Sequence, residues 1–215
     1  MARKAKTPPT TPGRGGAKKL PAGPRPRRGL PAETRERIVA AAAQLFNRVG
    51  YHGTDSNRIA EAAGYSPGAF YKHFESKQQV FLAVYEAWVD AEWKTIGSEI
   101  RVGGEPEALA RRIVDLTVDF HTRWRGLRAS LVELVFADAE VRKFYRAQRR
   151  RQLDLMSGIH QGMGGAQHTR EEDALLLFTL ERTADAIAQG EIRDLGLDRS
   201  AVIDDLVKRV TQALA

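Results

Sequence analysis

The stretch DSNRIAEAAGYSPGAFYKHFESK, residues 55–77, spells two short helices joined by a glycine turn. Asp55, backed by Thr54, can accept hydrogen bonds from the orphan N–H groups of a helix start, and Ile59, Ala60 and Ala63 follow at helical spacing. Gly64 stands where a left-handed backbone conformation ends that helix at little cost. Ser66-Pro67 then reads as a cap followed by a proline whose missing N–H would have been unpaired anyway. Two helices of about eight residues meeting through such a turn fit the description of a DNA-binding helix-turn-helix. On the second helix, Phe70 and Phe74 can anchor one face in a core. Gly68, Ala69, Lys72 and His73 then face elsewhere.

Working outward, Ile38, Val39, Ala42, Leu45, Phe46 and Val49 repeat at helical intervals from Glu33 to Val49, and Gly50 ends the run. Three helices therefore share one small core. The succession Phe46, Gly50, Tyr51, Thr54, Ile59, Ala60, Ala63, Gly64, Ser66, Gly68, Tyr71, His73, Phe74 and Lys77 resembles, in order and spacing, the N-terminal domain of the tetracycline-repressor (TetR) family of bacterial transcription regulators. The resemblance covers roughly residues 33 to 85, and beyond residue 90 it is one of helical pattern alone. Two positions depart from the family: Asp55 stands where Thr or Ser is usual, and Ser56 replaces an apolar residue. An aspartate caps well but repels phosphate.

The resemblance implies a sequence-specific regulator, by default a repressor released by a small molecule, acting as a homodimer on double-stranded operator DNA. It implies that Tyr71 places its hydroxyl on a phosphate, that Lys77 supplies charge and a backbone N–H there, and that Thr54 is a weaker phosphate contact. Gly68, Ala69 and Lys72 take the groove-facing positions, where Lys72 can donate to guanine acceptors. Ser66 caps, touches phosphate, or both; His73 either contacts phosphate or packs. Two reading heads about 34 Å apart predict a near-palindromic operator.

Charge is unevenly spread. The 215 residues carry a formal net charge of +7, yet residues 1 to 30 hold nine basic residues, Arg25, Arg27 and Arg28 among them, and no acidic ones. That leaves 25 basic against 27 acidic residues in the rest. With six prolines, five glycines and little that is apolar, this arm is expected to be disordered in the free protein. A basic arm beside a reading head can lie along phosphates or enter the minor groove; a solubilising extension is the plainer alternative. No apolar segment follows it as in a signal peptide.

The absence of cysteine excludes disulfides, thiol catalysis and cysteine-bound metal. No run approaches the roughly 18 apolar residues of a bilayer span, so a cytoplasmic protein without a membrane partner is expected. The five histidines form no H-x-x-x-H pair and no phosphate-binding glycine motif appears, so neither an enzyme, nor a cofactor, nor a metal site is expected. Charged runs such as RRIVD and QRRRQ read as solvated helix faces.

From residue 76 onward the pattern is helix after helix: Lys77 to Ile100, Glu105 to Thr122, Leu127 to Phe136, Ala139 to Ile159, Arg170 to Gln189 and Arg199 to Leu214, with Gly126 and the GMGG run at 162–165 as punctuation. The fold class is all-α, about nine helices: an arm (1–30), a helix-turn-helix domain (31–76) and a helical effector-binding and dimerisation domain (77–215). The resemblance implies dimer contacts on the last two long helices, at Leu175, Leu176, Thr179, Thr183, Val202, Leu206 and Val210. Aromatics of the middle helices, Trp88, Trp93, Phe120, Trp124, Phe136, Tyr145 and Phe178, suit an apolar effector cavity, with His121, Arg128, Glu133 or Glu181 as polar handles. Two other readings keep the DNA: an activator of the same fold, whose difference lies in operator position, and a sequence-independent DNA-organising protein that uses the basic arm.

Overall fold

The computed structural model describes residues 31–163 and 168–214, without the side chain of Met163. The arm residues Arg25, Arg27 and Arg28 lie outside them. Among the described residues there is no strand. Ten helices follow in order: α1 (Pro31–Val49), α2 (Ser56–Ala62), α3 (Pro67–Phe70), α4 (Lys77–Val102), α5 (Pro106–Arg123), α6 (Arg125–Ala137), α7 (Ala139–Met163), α8 (Arg170–Gln189), α9 (Glu191–Asp194) and α10 (Arg199–Leu214). The single-turn α9 is the helix the periodicity misses, because four residues carry no repeat. None of these helices is long and apolar enough to cross a membrane.

Two cores organise the chain. The first gathers Ile38, Phe46, Ile59, Phe70, Phe74, Phe81, Tyr85, Leu127 and Leu131, so that α1–α4 pack with α6 in one apolar body that runs across residue 76. The second sets Ala110, Val114 and Val118 of α5 against Ala184 of α8 and Ile203, Leu206, Val207 and Val210 of α10. Helix α4 belongs to both ends of the molecule. Its first half lies in the first core, and Ile96 further on packs with Leu109 and Ile113 of α5.

The junction between the head and the body is polar and close. Asn47, on α1, accepts from the N–H groups of Gly126 (3.0 Å) and Leu127 (3.3 Å) and donates to the carbonyl of Arg123 (2.8 Å). One side chain thus satisfies orphan groups at the end of α5 and the start of α6. Ser130 of α6 accepts from the Tyr51 N–H at 3.0 Å, and Gln78 donates to Asp138 at 3.1 Å. Gly126 is not chain punctuation. It lies inside α6, and a methyl group there would sit 1.9 Å from the Asn47 carbonyl oxygen, so the absence of a side chain permits the helices to touch.

Charge is buried at the centre. Arg128 of α6 donates to both carboxylate oxygens of Asp185 (3.2 and 2.7 Å) and approaches Glu181 at 3.5 Å. Arg149 of α7 forks onto both oxygens of Glu181 and onto the Tyr145 hydroxyl. His121 of α5 meets Asp185 at 2.8 Å and lies 3.6 Å from Glu92 of α4. Five helices, α4 to α8, therefore meet in one ionic cluster. Arg149 and its buried neighbours Gln148 and Gln152 overturn the solvated reading of QRRRQ: only Arg150 and Arg151 of that run are exposed.

Burial opposes each of these charges, but neighbours decide the outcome. Burial works against the Glu181 and Asp185 carboxylates, yet Arg149 and Arg128 for the first, and His121 and Arg128 for the second, hold both below the usual carboxylate range. Burial also works against a charged His121, but Asp185 and Glu92 raise its pKa above the ordinary imidazole value. Burial raises the Glu92 pKa despite His121.

Gly126→Ala should destabilise the chain by about 1–3 kcal/mol through overpacking, read as a lower urea midpoint. Gly158→Ala, at an exposed helical position with open space for the methyl group, should instead stabilise by about 0.5–1 kcal/mol. The depressed carboxyls of Glu181 and Asp185 lend stability in full above roughly pH 4, lost as pH falls through their folded values; the raised His121 lends stability in full below about pH 6.5, lost as pH rises through its folded value. Glu92, whose pKa burial raises, adds to the decline as pH rises. The melting temperature should therefore fall on both sides of an acidic optimum, and His121→Gln should flatten the alkaline side.

Candidate nucleic-acid interface and interior cavity

Local chemistry shapes the reading head as the sequence suggests. The Asp55 carboxylate accepts from the Arg58 N–H at 2.9 Å and starts α2. Gly64, at φ +82°, ends it: the Tyr65 N–H bonds to the Ala60 carbonyl and the Gly64 N–H to that of Glu61, the paired closure of a Schellman motif. Phe70 and Phe74 are buried, and their packing leaves Ser66, Gly68 and Lys72 exposed, Tyr71 55% exposed, and Ala69 and His73 half-buried. The second helix is shorter than the expected eight residues. Regular helix covers only Pro67–Phe70, and Tyr71 to His73 form a turn. Ser66 occupies the N-cap position, but its side chain makes no capping hydrogen bond.

Two expected phosphate contacts are placed otherwise. Thr54 is buried, 5% exposed, so its hydroxyl does not face a DNA backbone. The Lys77 amine turns inward, donating to the carbonyls of Tyr51 (2.8 Å) and Thr54 (3.0 Å) and lying 4.0 Å from the centre of the Tyr51 ring. Burial lowers its pKa against the pull of Asp55. Its charge staples the loop between α1 and α2. Free cationic surface at the head comes from Lys72 and from Arg35 and Arg37 of α1, whose guanidinium groups lie 5.0 Å from the Phe74 ring and 5.7 Å from the Tyr65 ring.

A partly open cavity of about 70 Å³ lies between α4, α5, α7, α8 and α10. Its wall is aliphatic, with Ile96, Ile100, Ile113, Leu176, Leu177, Leu180, Val210 and Leu214, and Trp93 as its aromatic. Glu92, Glu181, Thr117 and His160 supply the polar edge. Of the expected polar handles, Glu181 borders this space. His121 and Arg128 sit one layer behind it in the ionic cluster, and Glu133 is on the surface paired with His52 at 3.1 Å. The aromatic reading is corrected more sharply. Phe136 and Phe178 face outward, 78% and 52% exposed, and Trp88, Phe120 and Trp124 pack in or against the first core. Trp93 apart, the expected aromatics are in ordinary packing or on the surface.

The expected dimer contacts on α10 are also corrected in part. Leu206 and Val210 are buried against α5 within the same chain, and Val202 is half-buried. That helix has one apolar stripe and the core uses it. Leu176 lines the cavity, Thr179 and Thr183 are half-buried, and Leu175 is 66% exposed beside the exposed Phe178. Sequence reasoning missed Glu92, Arg149, Asp185, Asn47 and Ser130, none of which carries a distinguishing spacing. A buried arginine needs carboxylates from other helices, and only the fold brings them together.

Residues 38–84 match the sequence profile of the bacterial regulatory proteins of the tetR family. The chain is 28% identical over 172 residues to the HTH-type transcriptional regulator AcrR of Shigella flexneri, a match covering 76% of each protein. It is 39% identical over 54 residues to the HTH-type transcriptional repressor AcnR of Corynebacterium efficiens, 25% of this chain and 29% of that one. Most matched curated regulators are spanned over well under half their length, and they include an activator as well as repressors. The fold of the transcriptional regulator FadR from Bacillus subtilis, solved in complex with stearoyl-CoA, superposes with a TM-score of 0.62 at 17% identity over 83% of this chain and 96% of that one. Helix-turn-helix geometry, sequence profile and curated relatives agree that residues 38–84 form a DNA-binding domain of the tetR family of bacterial regulatory proteins, and that the chain is a DNA-binding regulator of transcription.

Proposed function

We propose that the chain is a repressor that grips a near-palindromic operator as a homodimer and is released by a largely apolar effector. The observation that carries this is the solvent-facing surface Gly68–Lys72, held rigid from behind by Phe70 and Phe74, which small residues let approach a groove closely. Tyr71 serves a phosphate and Lys72 a base edge. The exposed Leu175 and Phe178 on α8 are the apolar surface a second copy would cover.

Release follows from the size of the cavity. A space of about 70 Å³ is smaller than the 150 Å³ or so that admits benzene, so an effector that fills it must move apart the helices that line it. Helix α4 is one of them and runs without a break into the head. An effector that binds better with α4 displaced shifts the population away from the DNA-gripping spacing, with a coupling of about 1–3 kcal/mol. The aliphatic wall suits an apolar chain, as does the fold shared with a regulator solved with stearoyl-CoA. Glu92 and Glu181 at the polar edge favour a hydrogen-bond donor or cation at one end of the effector.

Selection of bound genomic fragments tests the reading. It should return one short palindrome with half-sites about one helical turn apart; fragments without a shared motif would sink it in favour of sequence-independent binding, and sites placed to assist polymerase would favour an activator. Tyr71→Phe should weaken all sequences alike, whereas Lys72→Ala should relax one base position by about 1–3 kcal/mol. Removing residues 1–28 should flatten the log-log salt dependence, by up to about 8 if each of its nine charges neutralises a phosphate.

A further inference from the structure

The end of α7 and the start of α8 bring together three groups that DNA reading does not use. His160 stands near the end of α7, His168 just precedes the cap of α8, and Asp173 lies in the first turn of α8. One ligand atom from each lies within 4.8 Å of the others. The Asp173 side chain is 0% exposed and that of His160 is 10% exposed. A carboxylate so enclosed needs a cation or several donors.

The donors present leave that need half met. Ser157 donates its hydroxyl to Asp173 Oδ2 at 2.7 Å. The other oxygen, Oδ1, stands 2.7 Å from His160 Nδ1, yet the two are not aligned for a hydrogen bond and neither has another partner among the described residues. Two buried polar atoms in close approach, unaligned with one another, are both left wanting a partner that a cation beside them would supply, after a small separation to ligand spacing. The His168 ring stacks on that of His160 with centroids 4.3 Å apart and brings a second imidazole to the same spot.

We propose that His160, His168 and Asp173 bind one divalent transition-metal ion, zinc being the ion that suits them. Two imidazoles and a carboxylate are zinc-type ligands, and with three of them a fourth tetrahedral position is left for water. Ser157 fixes the carboxylate from behind, as outer-shell partners do. The ion ties the end of α7 to the start of α8. Because His160 also forms part of the cavity wall, the ion holds that wall in place. Sequence spacing conceals the site: eight positions and a loop separate the two histidines, so no one-helix motif arises.

Cobalt(II) added to the untagged, chelator-treated full chain tests this, since no cysteine competes for it. Visible ligand-field absorption should saturate at one equivalent per chain, zinc should displace it, and zinc should raise the melting temperature. Ser157→Ala should weaken binding about 10- to 100-fold. His168→Ala, which removes a residue outside every helix and should leave folding intact, should weaken it further, while His52→Ala should leave it unchanged. A featureless cobalt spectrum in the wild-type chain, as a plain ion pair between protonated His160 and Asp173 would give, overturns the proposal. So does equal affinity in His168→Ala. Neither outcome depends on the operator reading.

Discussion

Arg128 cannot be buried without the carboxylates of α8, and much of the molecule is arranged around that requirement. It is 4% exposed, and it rests on Asp185 and Glu181 while Arg149 grips Glu181 from the other side. An unpaired charge there would cost several kcal/mol. The same helix that carries Arg128 carries Gly126, Leu127 and Ser130, the residues that meet Asn47 and Tyr51 of the head. The position of the head relative to the body is therefore set by a helix whose own position is set by buried ion pairs.

Under the proposed release by an effector, this arrangement would give the cavity its leverage. Glu92 and Glu181 belong both to the cavity edge and to the ionic cluster. A molecule that draws on either carboxylate changes what is left for His121, Arg128 and Arg149. Two routes then lead to the head: α4 directly, and α6 through Arg128. Buried ionic groups are poor sources of net stability but strong sources of geometric definition when removing one partner strands another. Their placement between an apolar cavity and a reading head fits that role.

Much of the fold was legible because its signals are local. The turn at Gly64, the Asp55 cap and the proline at the start of α3 are each decided by a few neighbouring residues, and the long helices declare themselves by period. What stayed hidden depends on which faces meet. The apolar stripe of α10 could equally have met a second chain; it meets α5. QRRRQ looks solvated until Glu181 arrives from α8. The Lys77 position resembles a phosphate contact, and only the coordinates show its amine turned onto carbonyls of the preceding loop. Burial of Thr54 is likewise encoded by no spacing in residues 51–56.

The steric contact at Gly126 has an evolutionary corollary. A methyl group there would run into the Asn47 carbonyl, so the head and the body are fitted to each other at atomic range rather than joined by a neutral tether. Recombination that grafts this head onto an unrelated sensor would have to bring α6 with it, or inherit a seam with an unfilled gap or a clash. In this chain, the smallest heritable module for exchanging operator preference extends past the helix-turn-helix to the far side of that contact.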